Sequence, residues 1–235
     1  MLFKGTHIKD LSKVSIILIL AGFVIIGSSV FFFLSLAEEV MEKEKFIIDA
    51  TVNDFIASFN TPWLQDTMGY ITEAGSVIWL SIASVILFIY LMFFSKFSRW
   101  VAISFAINMI GISGLTKGLK LLFERQRPEV LAQFDGTGFS FPSGHSTGAI
   151  TFYGFIIYLI LISPLEKKWK WTINSLLAVV IFLVAFSRVF LSVHYVTDIA
   201  AGLAIGLTWL FTCITALELT IWRQRRRKVL GRRSR

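Results

Sequence analysis

The sequence predicts an all-α polytopic membrane protein with six transmembrane helices and both termini in the cytoplasm. Three observations carry that prediction. Hydrophobic residues make up 55% of the 235-residue chain and charged residues only 16%, outside the range of soluble globular proteins. Six charge-free stretches recur, each close to the ~17–25 residues that cross a hydrocarbon core. Sixteen of the 23 Lys and Arg fall in segments that six spans would leave on one membrane face. Basic loops stay cytoplasmic, which orients the chain.

The first span is Val14 to Ala37. Lys4, Lys9 and Lys13 precede it and Ser35-Leu36-Ala37 imitates a cleavage site, but the apolar run exceeds the ~7–15 residues of a signal peptide, so retention is expected. Residues 38–73 should form an outer amphipathic segment. It begins acidic (Glu38, Glu39, Glu42, Glu44), then sets Ile48, Val52, Phe55, Ile56 and Phe59 at helical spacing. Such a segment suits the outer headgroup layer. Thr61-Pro62 reads as an N-cap followed by proline at the first helical position.

The remaining spans are Ala74 to Ser95, Trp100 to Thr116, Ser146 to Leu165, Trp171 to Ser187 and Ile199 to Leu217. Trp63, Trp79, Trp100, Trp169, Trp171 and Trp222 fall mostly near their ends, as interfacial anchors do. Residues 222–235 form a basic cytoplasmic tail, and the net charge of +8 reflects topology and lipid-surface attraction, not nucleic-acid binding. The single cysteine, Cys213, excludes an intramolecular disulfide. Gly114-x-x-x-Gly118 and Gly202-x-x-x-Gly206 have the spacing that lets helices approach, and packing within the bundle is the expected use. Neither sets an oligomeric state. No repeat or linker divides the chain, so residues 1–235 are read as one integral-membrane domain.

Three polar clusters interrupt this apolar chain, all within residues 117–198 and all on the outer face. Ionisable groups at the ends of spans are expensive to place, so they ask for a functional reading. Lys120 and Arg127 are seven apart and would share a face of a continuous helix, offering an ammonium and a planar guanidinium to one phosphate. Taken alone they are also two cations reaching for headgroups. Lys117 and Arg125 fit that second reading, with contact to a diphosphate or glycerol phosphate as the alternative. Pro142-Ser143-Gly144-His145 stands at a helix start, where backbone N–H groups cradle an anion, Gly144 permits close approach and Ser143 adds a hydroxyl. The alternative is a plain N-cap. His145 sits where a departing alkoxide would need a proton. Ser187-Arg188 adds a further clamp, and His194 with Asp198, four apart on one helix face, pairs a nucleophile candidate with the carboxylate that fixes its tautomer. A structural salt-bridged histidine is the bland equivalent.

The joint pattern, Lys120-x6-Arg127-Pro128, Pro142-Ser143-Gly144-His145 and Ser187-Arg188-x5-His194-x3-Asp198, resembles the type 2 phosphatidic acid phosphatase family of lipid phosphatases, which shares its phosphate site with the vanadium haloperoxidases. The resemblance implies that His194 attacks phosphorus, that His145 is the general acid and then base, and that Asp198 orients His194. It implies that Lys120, Arg127, Ser143, Gly144 and Arg188 hold the phosphoryl oxygens. No metal or other cofactor is expected. The implied partner is a phosphorylated lipid within the bilayer of a bacterial cytoplasmic membrane. Phosphatidylglycerophosphate, giving phosphatidylglycerol, is the first substrate expected and undecaprenyl diphosphate the alternative. Vanadate-dependent halide oxidation and non-enzymatic lipid binding are more remote readings.

Overall fold

Backbone polar groups find no water inside a bilayer, so spanning segments close their hydrogen bonds internally as helices. The computed structural model describes residues 13–43, 46–58, 60–128, 134 and 136–233, and among them there are eight α-helices and no strand. These are α1 (Lys13–Met41), α2 (Ile47–Ala57), α3 (Pro62–Glu73), α4 (Val77–Ile89, continued by a π-helical turn, Tyr90–Phe94), α5 (Arg99–Phe123), α6 (Gly144–Ile162), α7 (Lys167–Phe190) and α8 (Val196–Arg233). Six stretches are long and apolar enough to cross a membrane: Gly22–Met41, Pro62–Phe94, Arg99–Phe123, Gly144–Ile162, Lys167–Phe190 and Val196–Gln224. All six expected spans are therefore present. Lys4, Lys9, Glu44, Phe59 and Arg235 lie outside the described residues.

Caps set where the helices begin. Thr61 accepts from Leu64 N at 3.4 Å with Pro62 beside it, as the sequence indicated, and Ser76 accepts from Trp79 N at 3.2 Å. Ser98 accepts from Trp100 N at 3.4 Å. Each side chain satisfies one of the donors that a helix start leaves without an intrahelical acceptor. The outer segment resolves into α2 and α3. Its apolar stripe divides: Val52 and Ile56 pack against Val189 and Phe190 of α7, while Ile48 and Phe55 point outward.

Helices α6 and α8 form the centre of the bundle. Helix α6 is largely buried and packs against α5, α7 and α8, and α8 also packs against α1. The α6–α8 contact depends on Gly202 and Gly206, as the small-residue spacing suggested. A Cβ on Gly206 would lie 2.3 Å from Ile150 Cγ2, and one on Gly202 would lie 2.8 Å from the Ser143 carbonyl oxygen. Gly114 and Gly118 behave differently. A Cβ there would meet nothing within 4 Å, so this second pair is not at a helix contact. On the other side of the bundle Phe33 of α1, Phe123 of α5 and Phe141 form an aromatic cluster with ring centroids 5.0–6.3 Å apart. This cluster holds the connection from α5 to α6 against the bundle.

Candidate active site

The first cluster is not on one helix. Helix α5 stops at Phe123, and Glu124 adopts a left-handed conformation (φ 48°) with its N–H donating to the Lys120 carbonyl at 3.1 Å. A left-handed residue at this position closes the helix, so Lys120 lies in the last turn of α5 while Arg127 lies in the following loop. The expected shared helical face is replaced by a fold-back. Lys120 Nζ donates to Phe139 O at 2.7 Å, and Arg127 donates to the carbonyls of Thr137, Gly138 and Phe139 at 2.9–3.3 Å. One strip of loop backbone thus aligns both cations.

The second cluster stands at a helix start, as the sequence indicated. Ser143 caps α6, accepting from Ser146 N at 3.4 Å and from the Ser146 hydroxyl at 3.0 Å. Its own N–H donates to the Asp198 carbonyl at 3.0 Å, which ties the start of α6 to the first turn of α8. Gly144 and His145 are the first two residues of α6, where N–H groups have no intrahelical acceptor.

The third cluster again departs from a continuous helix. Helix α7 ends at Phe190, a turn through Ser192 (φ 54°) follows, and His194 lies in the connection before α8. The His194 and Val193 N–H groups both donate to the Arg188 carbonyl at 3.2 Å. Asp198 occupies the first turn of α8 and reaches back, accepting from Tyr195 N at 2.9 Å and lying 3.3 Å from His194 Nδ1. The four-residue spacing therefore produces the predicted contact through an N-terminal capping interaction, not through two successive turns of one helix.

The geometry fixes the histidine tautomer. Arg127 Nη1, which can only donate, lies 3.0 Å from His194 Nε2, so Nε2 carries the lone pair and Nδ1 carries the proton. Nδ1–H faces Asp198 Oδ2 and the Ser140 hydroxyl oxygen (3.2 Å), and that hydroxyl donates in turn to Asp198 Oδ2. Burial pushes the His194 imidazole down to about 3; Arg127 and Arg188 act in the same direction and the Asp198 hydrogen bond opposes them. His194 is thus neutral at physiological pH, with the lone pair of Nε2 facing the Arg127 guanidinium.

A cavity of about 810 Å³ opens between α4, α5 and α6. Lys120, Arg127, Gly144, His145 and His194 line its polar end, while Val77, Ile78, Leu80 and Ile110 line the apolar part. Ser143, Arg188 and Asp198 do not line it and are wholly buried. Arg188 Nη1 donates to Thr72 Oγ1 of α3 at 2.8 Å. Thr72, Ser140, Thr197, Asp49 and Arg125 all enter the surrounding network, and sequence reasoning singled out none of them for it. The one available signal was Arg125, a second arginine two residues before Arg127.

Three cations, Lys120, Arg127 and Arg188, surround a neutral histidine oriented by a carboxylate and a second histidine at a helix start, an arrangement with the charge to hold an anion inside a helical bundle. The chain belongs to the PAP2 superfamily, which matches residues 100–222. It is 33% identical over 181 residues to phosphatidylglycerophosphatase B of Bacillus subtilis (strain 168), covering 77% of this chain and 88% of that protein. The crystal structure of the transmembrane PAP2-type phosphatidylglycerolphosphate phosphatase from Bacillus subtilis superposes with a TM-score of 0.72 at 29% identity, over 82% of this chain and 96% of that one. An undecaprenyl-diphosphatase of Sulfolobus acidocaldarius is 29% identical over 168 residues, covering 67% of this chain and 72% of its own.

Proposed function

We propose that this protein is a metal-independent lipid phosphatase that converts phosphatidylglycerophosphate to phosphatidylglycerol through a phosphohistidine intermediate. The observation that carries this reading is the lone pair on His194 Nε2, held towards the cavity by Nδ1–H facing Asp198. Nε2 attacks phosphorus, the bond to the lipid oxygen breaks, and His145 gives that oxygen a proton. His145 then takes a proton from water as the water oxygen attacks the phosphohistidine, releasing phosphate and restoring His194.

Arg127 has a double part in this sequence. At rest it donates to Nε2, so binding of a phosphoryl group must draw that donor onto a phosphoryl oxygen before attack. Lys120, Arg188, Gly144 and Ser143 complete the electrostatic stabilisation of the transition state, Ser143 and Arg188 from beneath the cavity wall. The apolar part of the cavity suits the lipid chains: Val77, Ile78 and Ile110 are 73–75% exposed on the face turned to hydrocarbon. The bias of basic loops supports cytoplasmic termini and a site at the outer face of a bacterial cytoplasmic membrane, within one domain that also includes the outer segment 38–73 and the basic tail 222–235.

Undecaprenyl diphosphate is the second substrate reading, favoured by the Sulfolobus relative. Detergent-solubilised protein assayed with EDTA on phosphatidylglycerophosphate, undecaprenyl diphosphate and phosphatidic acid distinguishes them by phosphate release. The expected result is fastest release from phosphatidylglycerophosphate, loss of turnover in His194→Ala and inhibition by vanadate. No release from any lipid refutes the phosphatase reading, and EDTA-sensitive release refutes its metal independence.

A further inference from the structure

Arg125 is at the centre of a buried network that the phosphate-handling residues do not explain. It follows the left-handed turn at Glu124, and its guanidinium makes three short charge-assisted bonds: Nη1 to Asp198 Oδ1 at 2.6 Å and to Thr197 Oγ1 at 2.7 Å, and Nη2 to Asp49 Oδ2 at 2.8 Å. It lies over the Tyr195 ring at 4.3 Å and the Phe46 ring at 5.2 Å. Arg125 does not line the cavity, and its side chain is only 15% exposed. A headgroup contact, the role that its place in the sequence suggested, does not fit this position.

Asp49 completes the arrangement from a different part of the chain. It lies in the first turn of α2 and accepts from Thr197 N at 3.0 Å and Thr197 Oγ1 at 2.7 Å. Around it, Ile47 and Ile48 are 84% and 54% exposed while Asp49 is 4% exposed. Helix α2 thus turns apolar side chains outward, as a helix in a membrane interface does, and turns its carboxylate inward to the first turn of α8.

We infer that Arg125 and Asp49 are positioning residues that clamp Asp198 behind His194, with half of the clamp delivered by the interfacial helix α2. The inference rests on the phosphatase reading above. Arg125 fixes Asp198 Oδ1, which leaves Oδ2 aimed at His194 Nδ1. A second tie comes through the backbone, because the Arg125 carbonyl accepts from Ser140 N at 2.8 Å and the Ser140 hydroxyl donates to Asp198. Asp49 and Asp198 share one guanidinium, so neither carboxylate is fully neutralised and Asp198 keeps negative charge for the imidazolium-like phosphohistidine. Removing Arg125 would leave two buried carboxylates without their common cation.

The test uses the full chain in detergent with Asp49→Asn, Arg125→Lys and the double variant. Turnover is referred to folded, monodisperse protein, and kcat, KM and the melting temperature are recorded. Asp49→Asn preserves shape and removes charge; Arg125→Lys preserves charge and removes the bidentate fork. Each is expected to lower kcat by about tenfold or more with KM changed by less than about threefold, the signature of a misplaced nucleophile. The double variant is expected to be no worse than the poorer single variant, since both act on one carboxylate. Losses that multiply, a KM rise at constant kcat, or an unchanged kcat would overturn the clamp. If Arg125→Lys does not fold, the kcat and KM of Asp49→Asn decide alone. Wild-type protein without phosphate release refutes the phosphatase reading, whereas active wild type with equally active variants refutes only the clamp.

Discussion

Replacing Gly202 by Ala tests whether the α6–α8 contact sets the shape of the proposed phosphate cradle at the start of α6. The new Cβ would lie 2.8 Å from the Ser143 carbonyl oxygen, 3.1 Å from Thr147 Oγ1 and 3.3 Å from Ser146 Cβ. The nearest of these is backbone at the N-cap of α6 and is about 0.6 Å short of the 3.4 Å at which ordinary contact begins. Ser143 cannot yield by rotating a side chain, so the start of α6 and α8 must part. Overpacking of this kind costs about 1–3 kcal/mol, offset by about 0.5–1 kcal/mol from the better helix former. The net destabilisation of about 1–2 kcal/mol lowers Tm by about 2–8 °C in a chain of this length. A shift of about half an ångström at Gly144 and His145 lowers kcat by about tenfold, given that about 1 Å of misplacement costs about a hundredfold. Gly114→Ala is the matched control, because its Cβ meets nothing within 4 Å. Thermal unfolding and phosphate release are measured on both. If Gly202→Ala melts and turns over like Gly114→Ala, the close approach does not position the cradle and the reasoning fails.

Other perturbations address the remaining contacts. Arg127→Lys keeps a cation but cannot reach the Val193 carbonyl, His194 Nε2 and the 137–139 carbonyls together, so kcat is expected to fall by about a hundredfold or more in steady-state phosphate release. Thr72→Val removes the hydroxyl that accepts from buried Arg188, and a loss of about 1–3 kcal/mol in unfolding free energy is expected, read from thermal or denaturant unfolding. Because His194 is held at about 3, the unfolded chain binds a proton that the folded chain refuses between about pH 6.5 and 3. Stability from this residue is therefore full above pH 6.5 and falls as pH falls through that window. Melting curves of wild type and His194→Gln at about pH 7.5 and 5 should show a smaller pH dependence in the variant.

The spans, the caps at Thr61 and Ser143, and the candidate residues that line the cavity were legible because each follows from local composition and spacing. Charge-free runs of the right length need no tertiary knowledge, and a proline after a threonine announces its own helix start. What misled was continuity. Offsets of seven from Lys120 to Arg127 and of four from His194 to Asp198 read as helical spacings, but the left-handed Glu124 ends α5 before Arg127, and α8 begins only at Val196, after His194. Non-glycine residues in that conformation carry little sequence signal. Asp49, Thr72 and Ser140 were out of reach for a different reason: their partners are 148, 116 and 58 residues away along the chain, and only packing brings them together. The two glycine pairs make the same point, since identical spacing serves a helix contact in one case and faces open space in the other.

The aromatic cluster of Phe33, Phe123 and Phe141 bears on where the working unit ends. Residues 100–222 contain every motif residue and match the superfamily, yet Phe33 of α1, Asp49 of α2 and Thr72 of α3 all contact that region from outside it. The motif-bearing part is consequently not autonomous: expressed alone it would expose an aromatic face and leave Arg125 and Arg188 each short of a partner. The same dependence gives the N-terminal hundred residues leverage over the reaction. Drift among them can retune the site while every letter of the motif stays in place.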